Sequence, residues 1–394
     1  MAAILVLAAG CAALERRAAC PSCPVCPECP AAAKPVPEQA RYEPAEFAAL
    51  HGWQSAALVP SLRTFLAGCA KIPSSGALRG ACNAAGAVGA EDEGAARRFF
   101  ETAFSAFAII APDGSTEGLV TGYYEPILAG SRTRTETHRF PVNGVPDDLV
   151  VVDLAGLYPE LRNFRLRGRI EGRRLVPYWS RAEIEGRAPA HADAGGGTPG
   201  APVLAWVQDP VELFFLQIQG SGQIRLESGE RIRLGYAEQN GHPYRSIGRH
   251  LVEHGELTLE QASMQGIKAW ALANPAKLQG VLNLNSSYVF FRASESTEGP
   301  IGSLGVALTP GYSIAVDART VPLGAPVFLA TTMPLSVQPI ERLVAAQDTG
   351  GAIRGAVRAD FYWGTGDAAG ALAGRMRQRG RMWLLWPRGQ PLPK

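Results

Sequence analysis

The first stretch with helical spacing of apolar residues lies after residue 91. Glu91–Asp92–Glu93 puts negative charge where a helix would begin, which favours a helix N-terminus. The apolar residues that follow recur at three- and four-residue intervals, as on a helix that packs one face against a core. They are Phe99, Phe100, Ala103, Phe104 and Phe107. The pattern predicts a helix here.

Two more helical regions are predicted further along the chain. Over 244–273, Thr258 and Gln261 fit a capping box, and an apolar stripe at Ile267 and Trp270 precedes Pro275. A last helix is predicted over roughly 367–379, between a cap at Asp367 and a stop at Gly380. The helices thus fall at the start, in the middle and at the end of the chain.

Between these regions the pattern changes to short apolar segments broken by Gly and Pro, which is typical of strands. The clearest hairpin is QIRLESGERIRLGY, in which apolar and charged residues alternate about a Ser228–Gly229 turn. VTGYYEP (120–126) and FFLQIQGSG (214–222) also read as strands, strands resume from 299, and 189–202 reads as a long loop. We therefore predict a mainly β protein with helices, a β-rich α+β fold with two barrel-like bodies.

Length and composition limit the protein classes. The 394 residues suggest two domains or one large one, and 46% hydrophobic with 19% charged residues excludes wholesale disorder. A formal net charge of +2 argues against nucleic acid as a partner. No apolar run after the first ten residues reaches the roughly 20 residues of a membrane span. We expect a folded body without a transmembrane helix.

The N-terminal sequence MAAILVLAAGC resembles the end of a bacterial lipoprotein signal. In such signals the cysteine, here Cys11, becomes the lipidated N-terminus, and Ala12 rather than Asp after it indicates the outer membrane. We expect a signal over 1–11 and a Cys/Pro-rich tether over 12–44, with the protein facing the periplasm of a Gram-negative cell. A plain secretory signal, or a start upstream, is the alternative.

The other six cysteines form two groups. Cys20, Cys23, Cys26 and Cys29 lie in CPSCPVCPECP, where the prolines favour an extended tether that keeps the thiols apart. Incidental disulfides or metal binding in this segment remain open. Cys69 and Cys82 lie 13 residues apart in sequence that looks folded. In an exported protein this spacing predicts a disulfide that closes a small loop.

The common catalytic templates are absent from the sequence. His250 and His254 could share a helix face, but HLVEH lacks the H-E-x-x-H order, so a solvated face is the simpler interpretation. There is no G-x-S-x-G elbow and no P-loop. Carboxylates among aromatic residues remain, a combination typical of carbohydrate chemistry because Tyr rings stack on sugars and donate hydrogen bonds.

Candidate binding residues fall in two motifs. Thr121, Tyr123, Tyr124 and Glu125 lie on the strand-like VTGYYEP, although a Tyr pair alone also fits core packing. In FFLQIQGSG, a strand would direct Gln217 and Gln219 to one side, and the small Gly220, Ser221 and Gly222 would let a ligand approach the backbone. Both motifs are predicted to line a polar groove.

Three aspartates stand in apolar, glycine-rich sequence near the C-terminus. They are Asp317 in YSIAVDA, Asp348 in AAQDTGG and Asp360 in RADFYWG. A single such Asp is commonly a turn or cap residue, but an Asp among apolar strand residues is costly unless it is hydrogen-bonded or functional. Three of them in one barrel-like segment favour a site.

TGYYEP, LQIQGSG, GSLGVALTPGYSIAVDA, VPLG, AAQDTGGAI and RADFYWG together resemble the membrane-bound lytic murein transglycosylase A family over about 45–388. The resemblance implies a double-psi β-barrel of 45–124 plus 293–388. A smaller β-barrel, 125–292, would be inserted into it, with a groove between them. The last four motifs belong to the three-aspartate module of this family.

The family cleaves the β-1,4 bond between N-acetylmuramic acid and N-acetylglucosamine in peptidoglycan and leaves a 1,6-anhydro sugar. The resemblance implies that Asp360 is the catalytic acid and that no metal or organic cofactor is needed. Asp348 and Asp317 are our candidates for groups that orient it, and the alternative for either one is a structural aspartate of the barrel. Arg358, if it shares a strand face with Asp360, would lower the pKa of that acid. A hydrolase of the same fold and a non-catalytic, expansin-like glycan-binding protein are the rival interpretations.

Overall fold

The computed structural model describes residues 39–89, 91–159, 161, 166–187 and 200–393. These residues belong to one compact unit, Glu38–Lys394. Cys11, the four tether cysteines and nearly all of the predicted 189–202 loop lie outside the described residues. None of the helices in the described ranges is long and apolar enough to cross a membrane.

Three groups of elements follow one another along the chain. The first comprises β1 (Arg41–Ala45), α1 (Val59–Cys69), α2 (Arg79–Ala85), α3 (Glu93–Ala103), β2 (Phe104–Ile110) and β3 (Gly118–Glu125). The second comprises β4 (Ile127–Ser131), β5 (Phe140–Asn143), β6 (Val150–Val152), β7 (Leu166–Glu171), β8 (Arg174–Pro177), α4 (Arg181–Arg187), β9 (Val203–Val207), α5 (Pro210–Gln219), β10 (Ser221–Leu226), β11 (Arg231–Gln239), α6 (Ile247–Glu253), α7 (Met264–Ala273), α8 (Pro275–Asn283) and β12 (Val289–Ala293). The third comprises β13 (Ser313–Val316), β14 (Pro326–Thr332), β15 (Pro339–Asp348), β16 (Arg358–Thr365), α9 (Asp367–Ala373) and β17 (Arg377–Pro387).

The first and third groups build a closed barrel. Its strands are hydrogen-bonded in the order β17-β14-β15-β13-β16-β3, and β3 returns to β17. The β13–β15 and β16–β3 pairs are parallel and the other pairs antiparallel. This six-stranded ring is the double-psi β-barrel that the family resemblance implies, and β2 and β1 extend it from β17.

The central strands of the barrel are apolar almost throughout. Both of their faces are covered, so both faces contribute to the core. In β14 the first four residues are all buried. Helices α1 to α3 cover one side, where Phe65, Phe99, Phe100 and Phe104 pack edge to face. Helix α3 begins as predicted, because the Asp92 side chain accepts a hydrogen bond from Ala95 N at 3.0 Å.

A disulfide joins Cys69 at the end of α1 to Cys82 in α2, with an S–S distance of 2.08 Å. This is the pair that the spacing of the cysteines predicts to form a disulfide. The bond ties together two helices that lie over the barrel core.

The second group forms a separate sheet with the order β12-β11-β10-β4-β9-β5, and a three-stranded sheet β6-β7-β8. The chain enters this group after Glu125 and leaves it after Ala293. The β10–β11 hairpin is confirmed: Ile224 and Leu234 are buried, and Gly229 has φ +86° in the turn. The smaller body is thus inserted between β3 and β13 of the barrel.

Five predicted assignments are wrong. The helix predicted over the Phe99 to Phe107 stripe ends at Ala103, and Phe104 and Phe107 lie in the strand β2. Residues 41–44, assigned to the tether, pair with β2 as part of β1, and the Tyr42 hydroxyl donates to Thr320 O at 2.5 Å. FFLQIQ is the helix α5 rather than a strand, because Asp209 caps its N-terminus and Gly220 ends it in the left-handed conformation. Gln217 and Gln219, two residues apart on a helix, therefore point to different sides.

The other two assignments concern α7 and α9. Thr258 and Gln261 do exchange the hydrogen bonds of a capping box, but they form an isolated turn, and α7 begins after Ser263. Helix α9 ends at Ala373. The predicted remainder of this helix runs into the strand β17, which pairs with β14, β2 and β3. Tertiary pairing of the apolar MWLLW segment decides this structure.

Candidate active site

A cleft of about 530 Å³ lies between the barrel strands and the inserted sheet. The barrel contributes residues of β3, β13, β15 and β16, and the insert contributes α5 and the strands β10 to β12. Both Asp348 and Asp360 line it. Of the predicted groove residues, those that line it are Tyr123, Gln217, Gln219, Gly220 and Ser221.

Strand pairing brings the two cleft aspartates and Thr121 into one row. Ala315 of β13 is the register partner of Asp348 on one side and of Asp360 on the other. Asp360 is in turn the partner of Thr121 in β3. Since register partners project from the same face of a sheet, the row reads Asp348, Ala315, Asp360, Thr121. The methyl group of Ala315 leaves space between the two carboxylates.

Asp360 makes one hydrogen bond to the described chain. Its Oδ1 accepts the Thr121 hydroxyl at 2.6 Å, and Arg358 Nη2 donates to the same Thr121 oxygen at 2.9 Å. Burial raises the pKa of Asp360, and the negative charge of Asp348 adds to this, against the Thr121 hydrogen bond and the Arg358 charge. The net direction is upward. Asp360 can therefore hold a proton at a pH where an exposed aspartate has lost it.

Asp348 is held much more firmly. Its Oδ1 accepts from Ser303 N, Ser303 Oγ and Thr349 N at 2.8–2.9 Å, and its Oδ2 accepts from the Tyr123 hydroxyl at 3.2 Å. Burial raises the pKa of Asp348 although all these hydrogen bonds favour the charged form. Burial and the two carboxylates raise the pKa of Tyr123 well above its ordinary value, so Tyr123 stays a donor. With both oxygens engaged, Asp348 is a fixed acceptor.

Asp317 lies outside the cleft lining, which favours the structural alternative for this residue over the orienting one. Its side chain is buried and accepts Arg319 Nε at 2.9 Å, Arg319 Nη2 at 2.6 Å and Gly355 N at 2.9 Å. Burial raises the pKa of Asp317, but these hydrogen bonds outweigh it and the pKa falls below the ordinary value. Asp317 is a structural carboxylate of the barrel.

Thr121 is a predicted groove residue outside the lining, although its hydroxyl donates to Asp360. Three others, Tyr124, Gly222 and Glu125, also lie outside it. The Tyr124 ring packs against Ala369 and Ala373, and its hydroxyl contacts Met264 Sδ at 3.4 Å. Gly222 is buried, and a Cβ there would come within 2.3 Å of Leu216 Cδ1. Close packing rather than ligand access explains that glycine.

Glu125 is the third of these residues and is fully buried where the chain crosses from barrel to insert. It accepts hydrogen bonds from Gln223 Nε2 at 2.7 Å and Thr365 Oγ1 at 2.8 Å, and Arg233 Nε lies 3.1 Å from its other oxygen. These groups come from both bodies. Glu125 therefore fixes how the insert meets the barrel.

The two glutamines play different parts in the cleft. Gln217 is buried and accepts from Arg181 Nη2 at 2.5 Å, and Gln219 Oε1 accepts from Tyr124 N at 3.0 Å. The amide group of Gln219 keeps its donor nitrogen for other partners. Arg181 also lines the cleft and was not singled out from the sequence.

Ser303 and Ala315 are further site residues that the sequence reasoning missed. Ser303 lies in the GSLG motif and Ala315 in the YSIAVDA motif, but the motifs alone assign neither residue a role. Their functions depend on which strands pair, which no local pattern states. Across the described ranges, no three His, Cys, Asp or Glu side chains gather as a metal site.

The chain matches two known families of domains. Residues 119–292 match the family described as MltA specific insert domain, and residues 312–386 match the 3D domain. A curated relative, membrane-bound lytic murein transglycosylase A of Escherichia coli K12, is 32% identical over 274 residues. That alignment covers 67% of this chain and 64% of the relative, so it spans under two thirds of the relative's length.

Solved structures match over more of the chain. MltA from Neisseria gonorrhoeae is 39% identical with a TM-score of 0.74, covering 90% of this chain and 93% of that one. A lytic murein transglycosylase from Agrobacterium tumefaciens is 30% identical, with a TM-score of 0.74 and coverage of 88% and 98%. E. coli MltA with bound chitohexaose is 26% identical, with a TM-score of 0.60 and coverage of 84% and 89%.

Proposed function

Because this chain belongs to the membrane-bound lytic murein transglycosylase A family, we propose that it cleaves the β-1,4 bond between N-acetylmuramic acid and N-acetylglucosamine in peptidoglycan and releases a 1,6-anhydro end. The observation that carries this proposal is the pairing of a singly bonded, pKa-raised Asp360 with a fully engaged Asp348 in one cleft. One free acid suits a reaction that uses no water.

In the first step, protonated Asp360 donates its proton to the glycosidic oxygen. The bond between C1 and that oxygen breaks, its electron pair goes to the leaving oxygen, and positive charge develops at C1. General acid assistance of this kind is worth about 10²–10⁴-fold. The raised pKa of Asp360 keeps the proton available for this step.

In the second step, the Asp360 carboxylate takes the proton of the substrate's own C6 hydroxyl, and O6 forms a bond to C1. Asp360 regains the proton that it donated, so the cycle consumes neither a proton nor a water molecule. An intramolecular nucleophile has a high effective molarity, which replaces the second carboxylate of an ordinary glycosidase.

Asp348 acts as the fixed negative charge of the site. It lies across Ala315 from Asp360, where its charge raises the pKa of the acid and favours the positive charge at C1. Tyr123 holds Asp348 from the cleft side. A cleft that accepts glycan chains agrees with the chitohexaose complex of the E. coli relative.

The test is to digest purified peptidoglycan with the protein and to weigh the soluble fragments. Fragments with anhydro ends are one water lighter than fragments with reducing ends. Anhydro ends support the proposal, and reducing ends alone overturn it. Binding without any released fragment would indicate the non-catalytic, expansin-like function.

An inverting hydrolase is the second candidate, and one observation favours it. Asp348 and Asp360 lie two strands apart, or roughly 9–10 Å between backbones at ordinary strand spacing. Inverting glycosidases use two separated carboxyl groups with room for a water between them, and Asp348 and Asp360 line one cleft from strands that are not adjacent. Against this, both oxygens of Asp348 already accept hydrogen bonds, which leaves it a poor base.

We also propose that Cys11 is lipidated and that the segment after it tethers the enzyme to the outer membrane, facing the periplasm. The motif LAAGC and the proline-rich sequence up to residue 40 support this. The membrane-bound relatives agree with it. An enzyme anchored in this way would reach the peptidoglycan layer from the membrane.

A further inference from the structure

Thr121 carries a single hydroxyl proton, and the geometry around it decides where that proton points. Arg358 Nη2 donates to Thr121 Oγ1 at 2.9 Å, so the oxygen already accepts one hydrogen bond. Asp360 Oδ1 lies 2.6 Å from the same oxygen. If Oδ1 were the donor, Thr121 would accept twice and its own proton would lack an acceptor among the described residues. The hydroxyl proton therefore points at Oδ1.

We propose that Arg358 and Thr121 together keep the acidic proton of Asp360 on Oδ2, the oxygen that is left for substrate. Oδ1 accepts the Thr121 hydroxyl and cannot carry a proton in the same direction. This inference rests on the proposed function, because it concerns the acid of that reaction. Thr121 and Arg358 are then positioning residues, and Asp360 alone touches the reacting atoms.

The groups that face Asp360 leave Oδ2 free. No group of the described chain donates a hydrogen bond to Oδ2, and Asp360 lines the cleft. Its register partner on the neighbouring strand β13 is Ala315, whose side chain is a methyl group. The hydroxyl of Tyr123, the other nearby donor, is committed to Asp348 Oδ2. The charged groups that act on Asp360 are Arg358 and Asp348.

Both proton transfers of the reaction would then use the same oxygen. Oδ2 gives its proton to the leaving oxygen and takes one back from the C6 hydroxyl, while Oδ1 keeps the Thr121 hydrogen bond throughout. As the proton leaves, charge develops on the carboxylate and this hydrogen bond strengthens, since bonds to charged groups are the strong ones. The hydrogen bond from Thr121 to Oδ1 thus stabilises the transition state more than it stabilises the protonated resting state of Asp360.

The same arrangement shows how an arginine can lie near a general acid without disabling it. The shortest contact of Arg358 on the site side is the Thr121 hydroxyl rather than the Asp360 carboxylate. Nη1 of Arg358 is directed to the carbonyl oxygens of Ala359 and Leu119. Its charge lowers the pKa of Asp360, but burial outweighs it. The sequence predicts that Arg358 lowers the pKa of Asp360. In the structure the Thr121 hydroxyl lies between the two side chains, and burial outweighs the effect of the arginine.

Thr121→Val is the first test, because valine keeps the shape and removes the hydroxyl. We expect the rate on the acidic plateau of the pH profile to fall about 10- to 100-fold, the range for losing a hydrogen bond to a charged group. The alkaline limb should move to higher pH, because the lost bond lowers the pKa of Asp360. Thr121→Ser, which keeps the hydroxyl, should restore both the plateau and the limb.

A Thr121→Val enzyme with the wild-type plateau and limb would overturn the proposal. Equal losses in the Val and Ser variants would also overturn it, since a hydroxyl role requires serine to rescue. Thermal unfolding of both variants separates loss of fold from loss of function. A plateau loss with an unmoved limb and a lowered unfolding temperature would assign Thr121 a packing role only.

Arg358→Gln, measured alone and in combination with Thr121→Val, tests whether the arginine acts through the hydroxyl. The proposal predicts a plateau loss when Arg358→Gln is made alone and little further loss when it is added to Thr121→Val. If Arg358→Gln reduced the rate by the same factor with and without Thr121→Val, the arginine would act directly through its charge, and the proposed role of Arg358 would be overturned.

Fragment masses are recorded in every assay. Reducing ends from the wild type would sink the proposed reaction, while the Thr121 pH profile would still report on the proton of Asp360.

Discussion

Asp360 and Asp348 carry the same carboxyl group but differ in the hydrogen bonds that the protein donates to it. Burial raises the pKa of both, yet Asp348 accepts four hydrogen bonds and Asp360 accepts one. The unengaged oxygen of Asp360 is open to substrate, whereas both oxygens of Asp348 already accept hydrogen bonds from the protein. In the proposed reaction, two residues of one type thus take different roles because of their surroundings.

Asp360→Asn should abolish release of anhydro fragments while glycan binding persists. Asn is nearly isosteric but has no proton to give, so we expect a rate loss of at least about 100-fold. The measurement is fragment release alongside a pull-down on insoluble peptidoglycan. A residual rate within tenfold of the wild type would remove Asp360 from the role of acid.

The same variant should be more stable than the wild type at neutral pH. The folded pKa of Asp360 is raised, so the cost in stability is absent below the unfolded pKa, builds up as pH rises from the unfolded to the folded pKa, and is complete above the folded pKa. Asn carries no charge, so its gain should grow over the same pH range and then level off. Thermal unfolding at pH 4 and pH 8 checks this, and a gain that is equal at both pH values would contradict it.

Asp348→Asn should shift the pH profile rather than abolish activity. The Asp348 charge raises the pKa of Asp360, so its removal lowers that pKa and moves the alkaline limb of the rate to lower pH. The loss at the optimum should be smaller than the roughly 100-fold of a missing acid. If Asp348→Asn were inactive and Asp360→Asn mildly affected, the acid would be Asp348.

At the level of elements, Asp317 closes the end of β13 onto the segment before β16. It binds Arg319 in its own turn and Gly355 N, which lies three residues before β16 begins. We expect Asp317→Asn to cost roughly 1–3 kcal/mol of stability at neutral pH, the range for hydrogen bonds to a charged group. Activity at low temperature should remain.

The pH dependence of this loss has a definite sign. The folded pKa of Asp317 is lowered, so its stabilising contribution is present above the unfolded pKa and is lost as pH falls through the folded pKa. The unfolding temperatures of Asp317→Asn and the wild type should therefore converge in acid. An inactive but fully stable variant would return Asp317 to the site.

Elements whose sequence signal lies within a few residues could be predicted from the local pattern of apolar and polar residues. The β10–β11 hairpin follows from alternation about a turn, and β3 from its apolar residues before Pro126. Asp348 and Asp360 were found because each interrupts an apolar strand. Such features need no knowledge of which segments meet.

The α5 helix was missed although signals for it were present. Asp209 and Pro210 form an N-cap and first helical position, and Gly220 ends the helix at φ +76°. The alternation of apolar and amide residues in FFLQIQ is typical of a strand, and it led to a strand prediction despite these signals for a helix. The error moved the two glutamines onto one face, which the structure does not support.

Gly380 was mistaken for a helix stop because its role is set by distant residues. It lies within β17, where a Cβ would come within 2.6 Å of Val120 Cγ2 and 3.1 Å of Ala330 O. A glycine needed for close approach of strands looks the same in sequence as a glycine that ends a helix. The register that places Ala315 between the aspartates is non-local in the same way.

At the scale of the whole molecule, the anchor can be tested apart from the catalytic body. Cys11→Ala in the full chain should move the protein from the membrane pellet to the soluble fraction after cell breakage, because the lipid is the proposed attachment. Peptidoglycan cleavage by the released protein should persist, since the described site lies wholly within residues 118–365. A variant that stays in the pellet would contradict lipidation at Cys11.

The central claim is that the attacking oxygen comes from the substrate and not from water. Digestion of peptidoglycan in ¹⁸O-labelled water measures this directly, with a hydrolytic lysozyme as the positive control. Hydrolysis places one solvent oxygen on C1 of each new end, whereas attack by the C6 hydroxyl places none. We predict new ends that are free of ¹⁸O and one water lighter than reducing ends. New ends that carry ¹⁸O would contradict the claim and make the protein a hydrolase.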